Sequence, residues 1–260
     1  FDQKGTIRTK YGTKEEYIEA VQALHNEGMH VYADIVLNHR MGADEAEDVT
    51  AVTDSAENRT QQVGGERLVR VWSKFTFPGR HGKYSNFIWD HRHFSGTDYD
   101  ENNRDQGLIY RFTGNNWAKD TDPEKGNFDY LMGMNVQMSN PEVAEEIRKW
   151  LLWYIRETGI DGLRLDAVKH ISFSFYKDLL QNVRRELGTG LPAVGEYWNA
   201  DLGRLLYYLD QVNGEMSLFD VALHYQFFNA SQAGGEYDLR HIFENTLIEQ
   251  RPDHAVTFVD

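Results

Sequence analysis

The chain has 260 residues, and 40% of them are hydrophobic, so it can form one large α/β domain or two ordinary domains and is not a disordered protein. Its 41 acidic and 27 basic residues give a formal net charge of −14, which argues against non-specific binding to nucleic acid or to an anionic membrane. The lack of cysteine excludes disulfides, thiolate nucleophiles and zinc–cysteine sites, and no apolar run reaches the roughly 20 residues that a membrane span needs.

The first predicted elements are a helix and a buried strand. Thr13 and Glu16 have the spacing of a capping box, and an apolar stripe from Tyr17 to Leu24 follows before Gly28 ends the helix. Residues 30–38 then form a short run rich in β-branched side chains, which predicts a buried strand.

Residues 39–139 differ in composition from the segments on either side, with polar turns, glycine pairs and scattered aromatic residues. No helical period lasts there, and the strand-like runs 68–77 and 108–112 indicate an irregular β-rich insertion.

Regular alternation begins at Asn140-Pro141, where an N-cap and a first-turn proline predict a helix that ends at Gly159. Strands and helices then alternate. The predicted strands are 160–168, 191–198, 216–223 and 254–260, and the predicted helices are 174–187, 201–212 and 238–249. This order predicts βα units around a parallel sheet.

Polar side chains cluster where the predicted strands end, and that edge of a parallel sheet is where α/β proteins place their sites. The residues in question are Asn38, His39, Arg164, Asp166, Lys169, His170, Glu196, Tyr197 and Trp198. Loops are commonly polar, but this alone does not account for these residues, because two successive predicted strands both end in a carboxylate.

Arg164 and Asp166 are two residues apart and project from the same face of a strand. They could form a structural ion pair, with Asp34 as a further partner of Arg164 on the neighbouring strand. Alternatively, the guanidinium keeps Asp166 ionised as a nucleophile, while the aromatic surroundings raise the pKa of Glu196 and make it a proton donor. Such a pair is typical of a retaining glycosidase.

These motifs resemble the α-amylase family, glycoside hydrolase family 13. The resemblance rests on DIVLNH (34–39), GLRLDAVKH (162–170) and GEYW (195–198) in this order, with FDQKGTIRTKYGT, RMGADE, KGNFDYLMG, SLFDVALHYQF and TFVD in support. It spans essentially the whole chain and is closest to bacterial liquefying-type and intracellular members.

The resemblance implies an α/β fold, a (β/α)8 TIM barrel with a long β-rich domain B inserted after barrel strand 3. The chain would supply about strands 3–7, with residues 1–38 and 140–260 in the barrel and 39–139 in domain B. Strands 1, 2 and 8 would be missing, and the third catalytic aspartate of the family would lie beyond Asp260. We therefore expect an internal fragment of a longer protein, which by itself could be inactive or unstable.

The resemblance also implies residue roles. Asp166 would be the nucleophile and Glu196 the general acid/base, with Arg164 orienting Asp166. The residues implied to contact sugar are His39, Lys169, His170, Tyr197 and Trp198.

The family's calcium site would use Asn38, Asp129, Asn135 and the carbonyl of His170. Residues 133–139 contain no carboxylate, whereas relatives have several aspartates there. We therefore expect one weakly held Ca²⁺ and no extended metal cluster.

The implied activity is endo-hydrolysis of α-1,4-glucosidic bonds in starch, glycogen and maltooligosaccharides by a protein that is a monomer at full length. A transglycosylase, a maltooligosaccharide-forming relative and a non-catalytic glucan-binding protein stay open as alternatives. The compartment is undecided, with similarity to cytoplasmic members slightly favoured.

Overall fold

The structure, a computed structural model, describes residues 8–104 and 107–259. In chain order its helices and strands are α1 (Lys14–Asn26), β1 (Tyr32–Ile35), β2 (His39–Arg40), β3 (Glu45–Ser55), β4 (Gln62–Lys74), β5 (Phe94–Thr97), β6 (Leu108–Phe112), β7 (Met134–Val136), α2 (Pro141–Thr158), β8 (Gly162–Leu165), α3 (Phe173–Leu187), β9 (Ala193–Gly195), α4 (Leu202–Gln211), β10 (Ser217–Phe219), α5 (Val221–Gln232), α6 (Leu247–Gln250) and β11 (Ala255–Val256). None of the helices in these residues is long and apolar enough to cross a bilayer.

The chain divides into two units. Among the described residues, the β-rich unit consists of 8–31, 37–104, 107–161 and 170–172, and the parallel-sheet unit consists of 32–36, 162–169 and 173–259. Residues 1–7 and Asp260, which carry parts of the predicted motifs, lie outside the described residues. The domain boundaries at 38/39 and 139/140 remain predictions.

The parallel-sheet unit contains five strands in the order β1-β8-β9-β10-β11, and each strand is parallel to its neighbours. This is the arrangement expected of part of a (β/α)8 barrel. In the register, Arg164 lies opposite both Asp34 on β1 and Val194 on β9.

Strand β1 is not buried on both faces, which corrects the prediction of a buried strand. Ala33 and Ile35 are buried, whereas Tyr32 and Asp34 between them are exposed. The β-branched composition of the run concealed this alternation, in which successive side chains point to opposite faces of the strand.

Several helices begin and end at the predicted signals. Thr13 and Glu16 form the reciprocal capping box of α1. Asn140 caps α2, and Asp201 caps α4 by accepting hydrogen bonds from the amides of Gly203 and Arg204. Gly159 follows α2 with a φ of 69°, a left-handed conformation that suits glycine.

The segment around residues 216–250 differs from the prediction. The strand ends at Phe219, because the buried Asp220 accepts hydrogen bonds from the amides of Leu223, Leu247 and Ile248 and so caps both α5 and α6. The predicted helix 238–249 is a short 3-10 turn at Leu239–His241 followed by α6. Asn245 interrupts it with a φ of 59°.

The β-rich unit contains a six-stranded antiparallel sheet in the order β2-β7-β5-β6-β3-β4. The predicted strand 108–112 is β6, and the predicted strand 68–77 overlaps β4, which runs from residue 62 to 74. Strand β3 was not predicted. Its acidic and threonine residues gave no clear alternation, and the long hairpin with β4 contains register shifts.

Candidate active site

Two carboxylates lie side by side at the carboxyl ends of β8 and β9. Leu165 pairs with Gly195, so the next residues, Asp166 and Glu196, leave the sheet next to each other. Backbone hydrogen bonds fix this arrangement, because the Glu196 amide donates to the Leu165 carbonyl at 2.9 Å and the Val168 amide donates to the Glu196 carbonyl at 3.1 Å.

The guanidinium of Arg164 joins three carboxylates. Its Nη1 donates to Asp166 Oδ1 at 2.6 Å and to Asp34 Oδ1 at 2.8 Å, and its Nη2 lies 2.9 Å from Glu196 Oε2. We call these four residues the carboxylate cluster. Burial lowers the pKa of Arg164, but the hydrogen bond to Asp166 and the charges of Glu196 and Asp34 outweigh it and raise that pKa.

Glu196 has the electrostatics of a proton donor. Burial raises the pKa of its carboxyl, and the neighbouring charge of Asp166 raises it further. The Ala167 amide and the charge of Arg164 act in the opposite direction, but the net pKa lies above its usual range, as the sequence predicted. Beside it, Asp166 Oδ1 accepts a hydrogen bond from Arg164 Nη1 at 2.6 Å.

The structure separates the roles of Tyr197 and Trp198. Tyr197 is fully buried and packs against Phe173 and Tyr208, so it has no exposed surface to offer a sugar. Trp198 is 37% exposed, and Lys169 Nζ donates to its carbonyl at 3.0 Å. Trp198 is therefore available for stacking, and Tyr197 has a packing role.

The four predicted calcium ligands lie together in the β-rich unit. The side-chain amide of Asn38 donates to the carbonyl of His170 at 3.0 Å, and to the carbonyl of Asp129 and Oδ1 of Asn135 at 3.4 Å. The Asn135 amide in turn donates to Asp129 Oδ2 at 2.8 Å. We call this set the amide cluster.

The donor set of the amide cluster fits a hard cation, since it offers buried amide, carbonyl and carboxylate oxygens. It has a single carboxylate, and burial raises the pKa of Asp129 to about 7. Within the described ranges, no group of three or more His, Cys, Asp or Glu residues could hold a metal ion, so ligation here would need amide and carbonyl oxygens in addition to Asp129.

The two predicted sugar-binding histidines also belong to the β-rich unit. His170 is buried, and its Nδ1 donates to the carbonyl of Phe128 at 2.7 Å, which fixes the ring. His39 is partly exposed, and its Nδ1 lies 3.3 Å from Oδ1 of Asn38.

Comparison with known protein families shows to which family this chain belongs. The model of the alpha-amylase catalytic domain matches residues 3–258. The chain belongs to the alpha-amylase family. This membership confirms the predicted family and, with the parallel and antiparallel sheets, the predicted fold class. The family acts on glucans and is generally calcium-dependent.

Curated alpha-amylase relatives align with the whole chain. It is 49% identical to an alpha-amylase of Geobacillus stearothermophilus, 47% identical to a glucan 1,4-alpha-maltohexaosidase of Bacillus sp. (strain 707) and 44% identical to a cytoplasmic alpha-amylase of Escherichia coli (strain K12). It covers 48%, 51% and 53% of these proteins respectively, so it spans about half their length.

Solved structures share the fold. An Anoxybacillus alpha-amylase matches with a TM-score of 0.58 at 21% identity over 96% of this chain and 43% of that one. The cyclomaltodextrin glucanotransferase CldA matches with a TM-score of 0.59 at 21% identity over 96% of this chain and 44% of that one.

Sequence reasoning missed two features of this alpha-amylase-family site. His224 stacks on Phe258 with ring centroids 4.9 Å apart, and both contact the indole of Trp198. Ala167 has a left-handed backbone and donates to Glu196. No local pattern marks either feature, because both depend on contacts between segments far apart in sequence.

Proposed function

We propose that the protein hydrolyses internal α-1,4-glucosidic bonds of starch, glycogen and maltooligosaccharides with retention of anomeric configuration. The observation that carries this proposal is the pairing of Asp166 and Glu196 on the single guanidinium of Arg164, at the ends of adjacent parallel strands. Asp166 accepts a hydrogen bond from Arg164, and burial raises the pKa of Glu196, which suits an acid/base beside a nucleophile in a retaining glycosidase.

In the first step the carboxylate of Asp166 attacks the anomeric carbon, and the glycosidic C–O bond breaks as Glu196 gives its proton to the leaving oxygen. In the second step the Glu196 carboxylate takes a proton from water. The water oxygen attacks the anomeric carbon and releases Asp166, which restores both groups. Arg164 orients the two carboxylates throughout.

Sugar binding is assigned to His39, Lys169, His170 and Trp198. The imidazoles and the ammonium can hydrogen-bond sugar hydroxyls, and the exposed indole of Trp198 can stack on a pyranose ring on the leaving-group side. Tyr197 is left out because it is completely buried.

A second candidate is a maltooligosaccharide-forming or sugar-transferring enzyme with the same machinery. The relative named glucan 1,4-alpha-maltohexaosidase, at 47% identity, favours it. The length distribution of the first products from amylose, measured by chromatography, separates the two, since internal random cleavage gives a broad distribution and the alternative gives one dominant length.

One calcium ion is proposed for the amide cluster, held by Asn38, Asp129, Asn135 and the carbonyl of His170. Bound there, the cation would supply positive charge to a group that has only one carboxylate. We further propose that the protein works as a monomer, and we favour the cytoplasm as its compartment because a cytoplasmic relative is 44% identical.

The proposal is tested with the protein produced from its complete reading frame and assayed on soluble starch. Asp166→Asn and Glu196→Gln should each reduce kcat by at least about 10³-fold. Asp178→Asn, the same chemical change on the exposed face of α3, should leave kcat unchanged. If Asp166→Asn were as active as the parent, or if the first product had inverted configuration by NMR, the assignment would be wrong.

A further inference from the structure

Ala167 has a backbone conformation that its residue type disfavours. Its φ is 49°, in the left-handed region that non-glycine L residues seldom adopt. The residue is buried and directly follows Asp166. Such a conformation persists only where the surrounding structure imposes it, and these positions concentrate at functional sites.

The left-handed turn directs two successive amides at one residue. The Ala167 amide donates to Oε2 of Glu196 at 3.2 Å, and the Val168 amide donates to the Glu196 carbonyl at 3.1 Å. The side chain and the main chain of Glu196 are therefore both held by the turn that follows Asp166. Arg164 Nη2 lies 2.9 Å from the same Oε2 atom.

We propose that Ala167 is a positioning residue, whose left-handed backbone directs its N–H at Oε2 of Glu196 and leaves Oε1 as the oxygen that exchanges the catalytic proton. This inference rests on the proposed hydrolase function. It adds that the end of β8, which carries the nucleophile Asp166, also orients the acid/base Glu196.

The chemistry follows from the occupancy of the two carboxyl oxygens. Oε2 accepts a hydrogen bond from the Ala167 amide and lies 2.9 Å from Arg164 Nη2, so we place the carboxyl proton on Oε1. Oε1 then delivers this proton to the glycosidic oxygen and later takes one from water. An acid whose two oxygens were equivalent would spend part of its time with the proton turned away from substrate.

Besides the Ala167 amide, several charged or titratable groups lie around the carboxyl of Glu196. Asp166 and Arg164 come from the end of β8, and Asp34 reaches Arg164 from β1. Tyr176 on α3 is buried in the field of Asp166 and Arg164, and burial keeps its phenol protonated by raising its pKa. The hydrogen bond from the Ala167 amide favours the ionised form of Glu196 and acts to lower the pKa of its carboxyl.

The test replaces the Ala167 N–H with an ester oxygen by incorporating the corresponding α-hydroxy acid at position 167 in the complete protein. This keeps the methyl group and removes only the donor. NMR titration of ¹³C-labelled glutamate carboxyls, without substrate, should show a higher pKa for Glu196. With starch, kcat should fall about tenfold with little change in KM, because hydrogen bonds to charged groups contribute on that scale, and the alkaline limb of the pH profile should move upward.

Two matched controls isolate the hydrogen bond. The same ester at Val168 removes the neighbouring amide, which donates to the Glu196 carbonyl, and should leave the carboxyl titration unchanged. Ala167→Gly keeps the amide and permits the same φ without strain, so it should also keep the parent titration.

The outcomes are distinct. An unchanged Glu196 titration in the Ala167 ester, or an equal change in the Val168 ester, overturns the positioning role. A raised pKa in the Ala167 ester alone supports it. If the parent does not hydrolyse α-glucans while the titration responds as expected, the proposed function fails and the anchoring of Glu196 stands.

Discussion

The carboxylate cluster and the amide cluster both bring polar side chains together, but they differ in charge and in burial. Both gather polar groups from segments more than a hundred residues apart. The carboxylate cluster has three carboxyl groups around one guanidinium and keeps its side chains partly exposed. The amide cluster is buried and has one carboxylate among neutral groups.

This difference bears on the pKa values of two carboxyls, Glu196 and Asp129. In the carboxylate cluster, the cation of Arg164 opposes the effect of burial on Glu196, although the pKa of that carboxyl is still raised. In the amide cluster burial dominates, and the pKa of Asp129 rises to about 7. The first arrangement suits proton transfer, and the second suits the capture of a cation that replaces the missing positive charge.

The largest expected effect comes from removing the guanidinium. Arg164→Met leaves three neighbouring carboxylates without their cation, and we expect a loss of roughly 10³-fold in kcat and of about 3 kcal/mol in the free energy of unfolding. Starch assays and urea unfolding measure the two effects.

Arg184→Met is the control for Arg164→Met. The Arg184 side chain has similar exposure and pairs with Glu215 in the same unit. It should lose stability and retain the parent kcat per folded molecule. Equal loss of kcat in both variants would contradict a specific role for Arg164.

A pH effect should appear in the amide cluster when calcium is chelated. Because the folded pKa of Asp129, about 7, lies above the ordinary aspartate pKa of 3.8, the folded protein binds a proton more tightly than the unfolded chain. Stability should therefore fall as pH rises from 4.5 to 6.5, by about 2 kcal/mol. Urea unfolding with EDTA measures this slope.

Asp129→Asn should remove that part of the pH slope, since the amide does not titrate. Excess calcium should also reduce it in the parent, because the cation favours the ionised carboxylate. A slope that is the same in parent and variant would show that Asp129 is not its source.

A smaller effect is expected when a carboxylate is added to the amide cluster. Asn135→Asp places a second negative charge next to Asp129, so with EDTA it should lower stability by about 1 kcal/mol. Excess calcium should reverse the sign, as measured by the melting temperature. Asn229→Asp, on the exposed part of α5, should respond equally in both conditions.

The smallest effect is expected at Asp34. Its side chain is 66% exposed although it pairs with Arg164, so Asp34→Asn should change stability by less than about 0.5 kcal/mol. Activity should stay within about threefold of the parent. A loss as large as that of Arg164→Met would mean that Asp34 is an equal partner in the carboxylate cluster.

The sequence correctly predicted the features of the fold that depend on contacts between residues close in sequence, such as the helix caps. The caps at Thr13, Asn140 and Asp201 each need only a side chain and amides two or three residues away, and all three are present. The predicted helix 238–249 failed for the opposite reason. Asp220, far from it in sequence, caps α6 and sets where that helix begins.

The sequence by itself determined the order of βα units, the polar residues at the strand ends and the family, because these depend on periodicity and on residue identity in ordered motifs. Tertiary structure alone decided that Tyr197 is buried while Trp198 is exposed, and that Ala167 directs its amide at Glu196. Burial and backbone conformation at these positions come from strand pairing between distant segments, and no local pattern in the chain encodes which atoms that pairing brings together.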